Sequence, residues 1–190
     1  MQFNQLANKT SVTKTQQALE TKGYAVSLLQ DGTAALAQIK EIIPEGASVM
    51  SGSSVTLEQI GYKKFLESGK HQWVDLHGKI TAEADPKKRM QLRRESVFAD
   101  YYLGSVHALV ENGEFVVASN TASQLPHVVF TSPNLIFVVS TKKIVPNLEE
   151  AMKRLEEYVV PLEDKHMQDL YTVNWDMKKK QWIAMIEHWR

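Results

Sequence analysis

The chain contains no cysteine. Disulfides, thiolate catalysis, cysteine-ligated zinc and iron–sulfur clusters are therefore excluded as properties of this chain, and the absence fits a cytoplasmic protein. Neither sign of charge is in surplus: Lys+Arg is 22 and Asp+Glu is 22, for a formal net charge of zero. That speaks against a nucleic-acid binder, which is usually basic, and against a polybasic membrane-surface protein. No apolar run approaches the ~18 residues of a membrane span, and Met1-Gln2-Phe3-Asn4-Gln5 lacks the charged-then-apolar layout of a signal peptide. What is present is ordinary globular material, 190 residues with 43% apolar and 23% charged side chains. That length buries roughly 70% of the unfolded surface, enough for a full core.

Along the chain, helical and strand patterns alternate. Leu6, Val12, Ala18 and Leu19 space a helix over 4–22 that Gly23 ends. Residues 24–29 read as a short strand, and Asp31-Gly32-Thr33 opens a helix whose Leu36, Ile39 and Ile43 share one stripe. Ala47-Ser48-Val49-Met50 reads as a strand running into a small-residue loop, with Thr56 and Gln59 as a capping box. A helix over 62–68, a strand over 72–76 and a helix from Asp85-Pro86 to about Ala99 follow. Residues 102–110 read as one strand, turned back onto 115–118 by a two-residue Asn112-Gly113 hairpin. Leu135 to Val139 reads as a strand buried on both faces, and Asn147 with Glu150 as a capping box opening a helix to about Val159. Trp182, Ile186 and Trp189 would fall on one helical face. The pattern predicts a three-layer α/β/α fold with a mostly parallel sheet and one hairpin. The predicted organisation is one α/β domain over 1–165 and a helical extension over 166–190 packed on it.

Four segments invite chemistry. Ser51-Gly52-Ser53-Ser54 follows a strand and precedes a helix, where small residues, hydroxyls and backbone N–H groups can receive an anion. No lysine sits there, so it is no Walker loop, and a plain capped turn is the other reading. Glu111, facing Glu114 across the hairpin, could position a substrate hydroxyl or move a proton, or simply splay into solvent. Arg89 and Arg93, one turn apart, could clamp a carboxylate or phosphate, or form part of a solvated face with Lys87, Lys88 and Arg94. The tail, holding Trp175, Trp182 and Trp189, packs on the domain or docks a partner or second protomer. The six histidines have no metal-ligand spacing.

Taken in order, these residues resemble the lactate-utilisation family, the LUD-domain proteins of LutC/YkgG type. The likeness lies in Ser51-Gly52-Ser53-Ser54-Val55-Thr56-Leu57…Ile60-Gly61, in Ala99-Asp100 with Ser105…Glu111-Asn112-Gly113, and in Lys143-Ile144-Val145 with Leu148…Ala151. The resemblance implies a fold of the NagB/RpiA/CoA-transferase-like group. It also implies a non-redox subunit or accessory of a system oxidising lactate to pyruvate, without a cofactor of its own and working beside iron–sulfur partner subunits. The ligand is then a small anion, a carboxylate or phosphate. The candidate ligand-binding residues are Ser51, Gly52, Ser53, Ser54, Thr56, Asn112, Lys143 and Arg93, and Glu111 is the candidate acid/base. A sugar-phosphate isomerase or CoA-transferase-like enzyme, or a non-catalytic interaction protein keeping the fold, are the alternatives. Where many relatives carry Asp-Gly-Thr-Gly-Asn-Arg this chain has Ser119-Asn120-Thr121-Ala122-Ser123-Gln124, and His107 stands where many have Asn.

Overall fold

A computed structural model describes residues 3–119, 121–171 and 182–186. In chain order its helices and strands are α1 (Lys9–Thr21), α2 (Gly32–Ile42), β1 (Ser48–Ser51), α3 (Val55–Gln59), α4 (Tyr62–Glu67), β2 (Val74–Asp75), α5 (Leu76–Ala82), α6 (Pro86–Glu95), β3 (Tyr101–Gly104), β4 (Ala108–Val110), β5 (Phe115–Ser119), β6 (Asn134–Phe137), β7 (Ile144–Val145), α7 (Leu148–Arg154), α8 (Val160–Tyr171) and β8 (Trp182–Ile186). Their boundaries follow local chemistry. Side chains of Asn8, Asp31, Ser54, Asp75, Asp85 and Asn147 each accept a backbone N–H at a helix start. The cap of α3 is thus Ser54, two residues before the expected Thr56 box. The chain leaves α1 through Gly23 at φ 88°, as its glycine requires.

The chain divides into two compact units: Leu28–Ser105 with Gln124–Val138, and Met1–Ser27 with Val106–Ser123 and Val139–Arg190. The first unit holds an all-parallel sheet in the order β2-β1-β3-β6. Ile39, Ile43, Leu57 and Tyr62 from the helical side pack with Val49 and Leu103 of the strands into its core. Asp100 ties the amino ends of the strands: its carboxylate accepts from both the N–H and hydroxyl of Ser48, at 2.8 and 2.6 Å, and its carbonyl accepts from Asn134 Nδ2 at 2.9 Å.

The second unit holds a mixed sheet in the order β7-β4-β5-β8, with β4 parallel to β7 and antiparallel to β5. Ala108, Val110 and Val116 pack against Ala151, Leu155 and Val160 of the long C-terminal helix. That helix widens into a π-turn over Leu155–Val159 between α7 and α8. The wider turn lets Pro161, which lacks an N–H, continue the helix instead of ending it.

The α/β class with a mostly parallel sheet is what the sequence predicts, but several elements differ. The hairpin stands in its own sheet, so 102–110 is two strands, β3 and β4, broken at Ser105–His107. Residues 24–29 form no strand. Strand β2 is only two residues, because Asp75 turns to cap the unforeseen α5. Strand β6 is an edge strand, partly exposed rather than buried on both faces. Trp182–Ile186 is not helical: it is strand β8, antiparallel to β5 with Phe115 opposite Ile186 and Ser119 opposite Trp182. Trp175 and Trp189 lie outside the described residues.

Candidate functional site

The Ser51–Ser54 loop leaves the carboxyl end of β1, an inner strand of the parallel sheet. Ligands in such sheets sit beyond the carboxyl ends of strands. Ser51 is buried; its carbonyl accepts from His77 Nδ1 at 3.1 Å, which fixes the proton on that nitrogen. The Gly52 N–H donates to the Leu103 carbonyl at 3.3 Å and the Ser54 hydroxyl caps α3. Thr56 is buried and Ser53 is exposed. Two of the expected hydroxyls, on Ser51 and Ser54, are thus committed inside the protein. The N–H groups of Ser53, Ser54, Val55 and Thr56, by contrast, donate to no acceptor among the described residues. Two of these four donors lie on the loop and two in the first turn of α3, where helix N–H groups ordinarily lack intrahelical partners; together they could receive a negative group.

Two tyrosines brace the loop from opposite faces of the sheet. Tyr62 is 2% exposed, with the Ser51 hydroxyl beside its own. Burial, then the Asp75 carboxylate, push the pKa of that phenol up, and the Ser51 hydroxyl offsets part of the shift. Tyr102, fully buried, donates to Gln124 Oε1 at 3.3 Å and stacks on His127 with centroids 4.5 Å apart and planes 17° from parallel. Gly52 is required there, since a β-carbon would stand 2.6 Å from the Tyr102 hydroxyl and 3.2 Å from Gln124 Oε1. Burial holds His127 neutral, lowering its pKa to about 4, and Ser132 Oγ lies 3.2 Å from its Nδ1. Sequence reasoning singled out neither Tyr62, Tyr102 nor Gln124. Gln124 ends the 119–124 stretch that departs from the pattern the family resemblance implies, and that departure is the available signal.

The hairpin residues have a different setting. Val110 N–H donates to the Glu114 carbonyl at 2.7 Å, so the loop is three residues, Glu111-Asn112-Gly113, with Gly113 at φ 85°. Glu111 therefore does not face Glu114. Its carboxylate pairs with Lys14 at 2.9 Å, and the Ser11 hydroxyl and the Lys14 ammonium hold it below the usual carboxylate range. Asn112 Oδ1 accepts from Glu114 N–H at 3.0 Å, a turn contact. Arg93 is exposed on α6, and its side chain makes no hydrogen bond or ion pair among the described residues. Lys143 lies in the mixed-sheet unit and donates to the Val106 carbonyl at 2.9 Å. Burial, then the charge of Arg154, lower its pKa to about 8.

Within one unit, then, Ser51, Gly52, Ser53, Ser54 and Thr56 follow one another from the end of β1 through the loop into α3, and Arg93 stands on a helix face of that unit. Glu111, Asn112 and Lys143 belong to the other unit. Among the described residues no cluster of three His, Asp or Glu side chains could hold a metal ion, and no helix is long and apolar enough to cross a membrane. No curated protein and no solved structure matches the chain. The family model of the LUD domain matches residues 12–187, nearly the whole sequence, and the chain belongs to the LUD-domain family.

Proposed function

We propose that this protein is a non-redox subunit or accessory of a lactate-utilisation system, and that it binds a small anion, a carboxylate or phosphate, at the loop after β1. Family membership supports the setting. The observation that carries the binding site is the run of four unpaired N–H groups, Ser53 to Thr56, at the carboxyl edge of an inner parallel strand. The neutral His127–Tyr102 stack beneath Gly52 gives that loop a rigid floor. Iron–sulfur partner subunits would supply the electron-transfer chemistry that a chain without cysteine cannot carry on thiolates. The Glu111 carboxylate, tied to Lys14 and held ionised, is poorly suited to donate a proton near neutrality, which weighs against a free-standing acid/base enzyme.

Two measurements test the reading. Thermal unfolding with lactate, pyruvate and inorganic phosphate should show saturable stabilisation, about 2.7 kcal/mol at 100 times the dissociation constant. Ser53→Asp places a charge among the loop donors without disturbing buried groups, and should remove the loop's share of that response. Affinity isolation of the tagged protein should carry along iron–sulfur subunits. Absence of stabilisation by all three anions, together with absence of such partners, would sink the proposal.

A further inference from the structure

Arg154 closes α7 and is 4% exposed. Its Nη1 donates to the His107 carbonyl at 2.6 Å, and its Cζ lies 5.1 Å from the Tyr158 ring centroid. Its Nε has no hydrogen-bond partner. Lys143 donates to the carbonyl of Val106, so two cations grip two consecutive carbonyls of the chain entering β4. The His107 ring joins them: its Nδ1 accepts from Ala118 N–H at 3.1 Å, which leaves the proton on Nε2 as a donor.

Buried cations are ordinarily paired with carboxylates, because desolvation without a counter-charge is unfavourable. Among the described residues no carboxylate stands within ion-pair distance of Arg154. Glu150, one turn earlier on α7, has a buried Oε2 without a partner and forms no ion pair with it. The crowding of positive charge is visible in its neighbours: burial, then Lys143 and Arg154, lower the His107 pKa to about 4. A guanidinium with one Nη engaged still offers its Nε edge, whose geometry matches the two oxygens of a carboxylate or phosphate. The helix also widens into its π-turn at Leu155, directly after Arg154, and such turns recur at functional sites.

We infer that Arg154, Lys143 and His107 form a binding site for a small oxyanion, with the Arg154 Nε edge as its principal donor. This does not rest on the loop after β1, which contributes none of these groups. The guanidinium is the anchor, Lys143 adds charge, and His107 adds a neutral N–H donor.

The test is calorimetric titration and thermal unfolding of the full chain with sodium phosphate and, separately, sodium acetate, at constant ionic strength. One or both anions should bind saturably and raise the melting temperature; phosphate alone would mark a phosphate site and acetate alone a carboxylate site. Arg154→Met should abolish one saturable component of that binding, the one Ser53→Asp leaves in place, and Arg154→Lys, which keeps the charge but loses the fork, should weaken that component at least tenfold. If Arg154→Met fails to fold by circular dichroism, Arg154→Lys carries the test, and unchanged affinity in it overturns the site. Glu150→Gln should leave the affinity within twofold; a tenfold tightening would make Glu150 the intrinsic counter-ion and overturn the proposal. Binding lost in Arg154→Met but kept in Ser53→Asp upholds this site and not the loop. Binding lost only in Ser53→Asp upholds the loop and overturns this site, as does the absence of saturable binding to the wild type.

Discussion

At Gly52 the missing side chain matters because of one atom. A β-carbon would approach the Tyr102 hydroxyl to 2.6 Å, while the ring carbon bearing it stays 3.7 Å away. Overpacking of this kind costs about 1–3 kcal/mol. Gly52→Ala should therefore lose about that much stability by urea titration, and Tyr102→Phe, which deletes the offending oxygen, should recover more than half of it. Equal losses in both backgrounds would place the constraint elsewhere. His127 makes a second residue-scale case. Its pKa is lowered by burial from 6.5 to about 4. Between those values the unfolded chain binds more protons than the folded one, so stability falls as pH falls from about 6.5 towards 4. His127→Phe keeps the stacking on Tyr102 and removes the titration. Its stability should fall less steeply over that window, by up to one proton in slope, with His107 supplying a slope of the same sign. Ala122, at φ 56°, is a non-glycine residue in the left-handed region, and such a conformation costs about 1–2 kcal/mol.

At the scale of elements, what was legible in the sequence was what short-range chemistry decides. Asp31, Asp85-Pro86 and Asn147 mark helix starts because their side chains satisfy N–H groups two or three residues away. Asn112-Gly113 marks the hairpin because Gly113 takes a positive φ. Replacing that glycine with alanine strains the backbone and brings a β-carbon to 3.3 Å from the Ala18 carbonyl carbon of α1. Gly113→Ala should cost about 1–2 kcal/mol in chemical denaturation, and a neutral result would show that the turn relaxes. What was not legible depends on distant neighbours. Residues 102–110 are mostly apolar, and although Gly104-Ser105 interrupts the run, nothing local says that Ser105–His107 leaves one sheet for another. Residues 24–29 have a strand's composition but form no strand. The loop after β1 could be read from its small residues, whereas Arg154, in the charged run Lys153-Arg154, looks like any solvated helix residue until the fold buries it.

At the scale of the molecule, the last described strand has a structural duty that its helical spacing concealed. Strand β8 is at the edge of the mixed sheet and pairs with β5 over five residues, Phe115 to Ser119. Strand β5 is buried along most of its length and carries Phe115, Val116 and Val117 into the interior. Removing β8 would bare one full edge of β5, leaving its outward N–H and C=O groups without partners and open to pairing with another chain. A chain ending at residue 171 should consequently melt at a lower temperature at every concentration, and should self-associate as concentration rises, seen by light scattering. Lys inserted at Val117 in the truncated chain would not test this, because that side chain is buried. Pairing is blocked instead by supplying residues 182–186 within a longer synthetic peptide, which should restore the melting temperature in trans. A tail that serves only to dock a partner makes the opposite forecast: the truncated chain keeps its stability and stays monomeric. In that outcome the β5–β8 ladder contributes nothing to the unit's stability, and the tryptophan-rich tail belongs to a partner's surface instead.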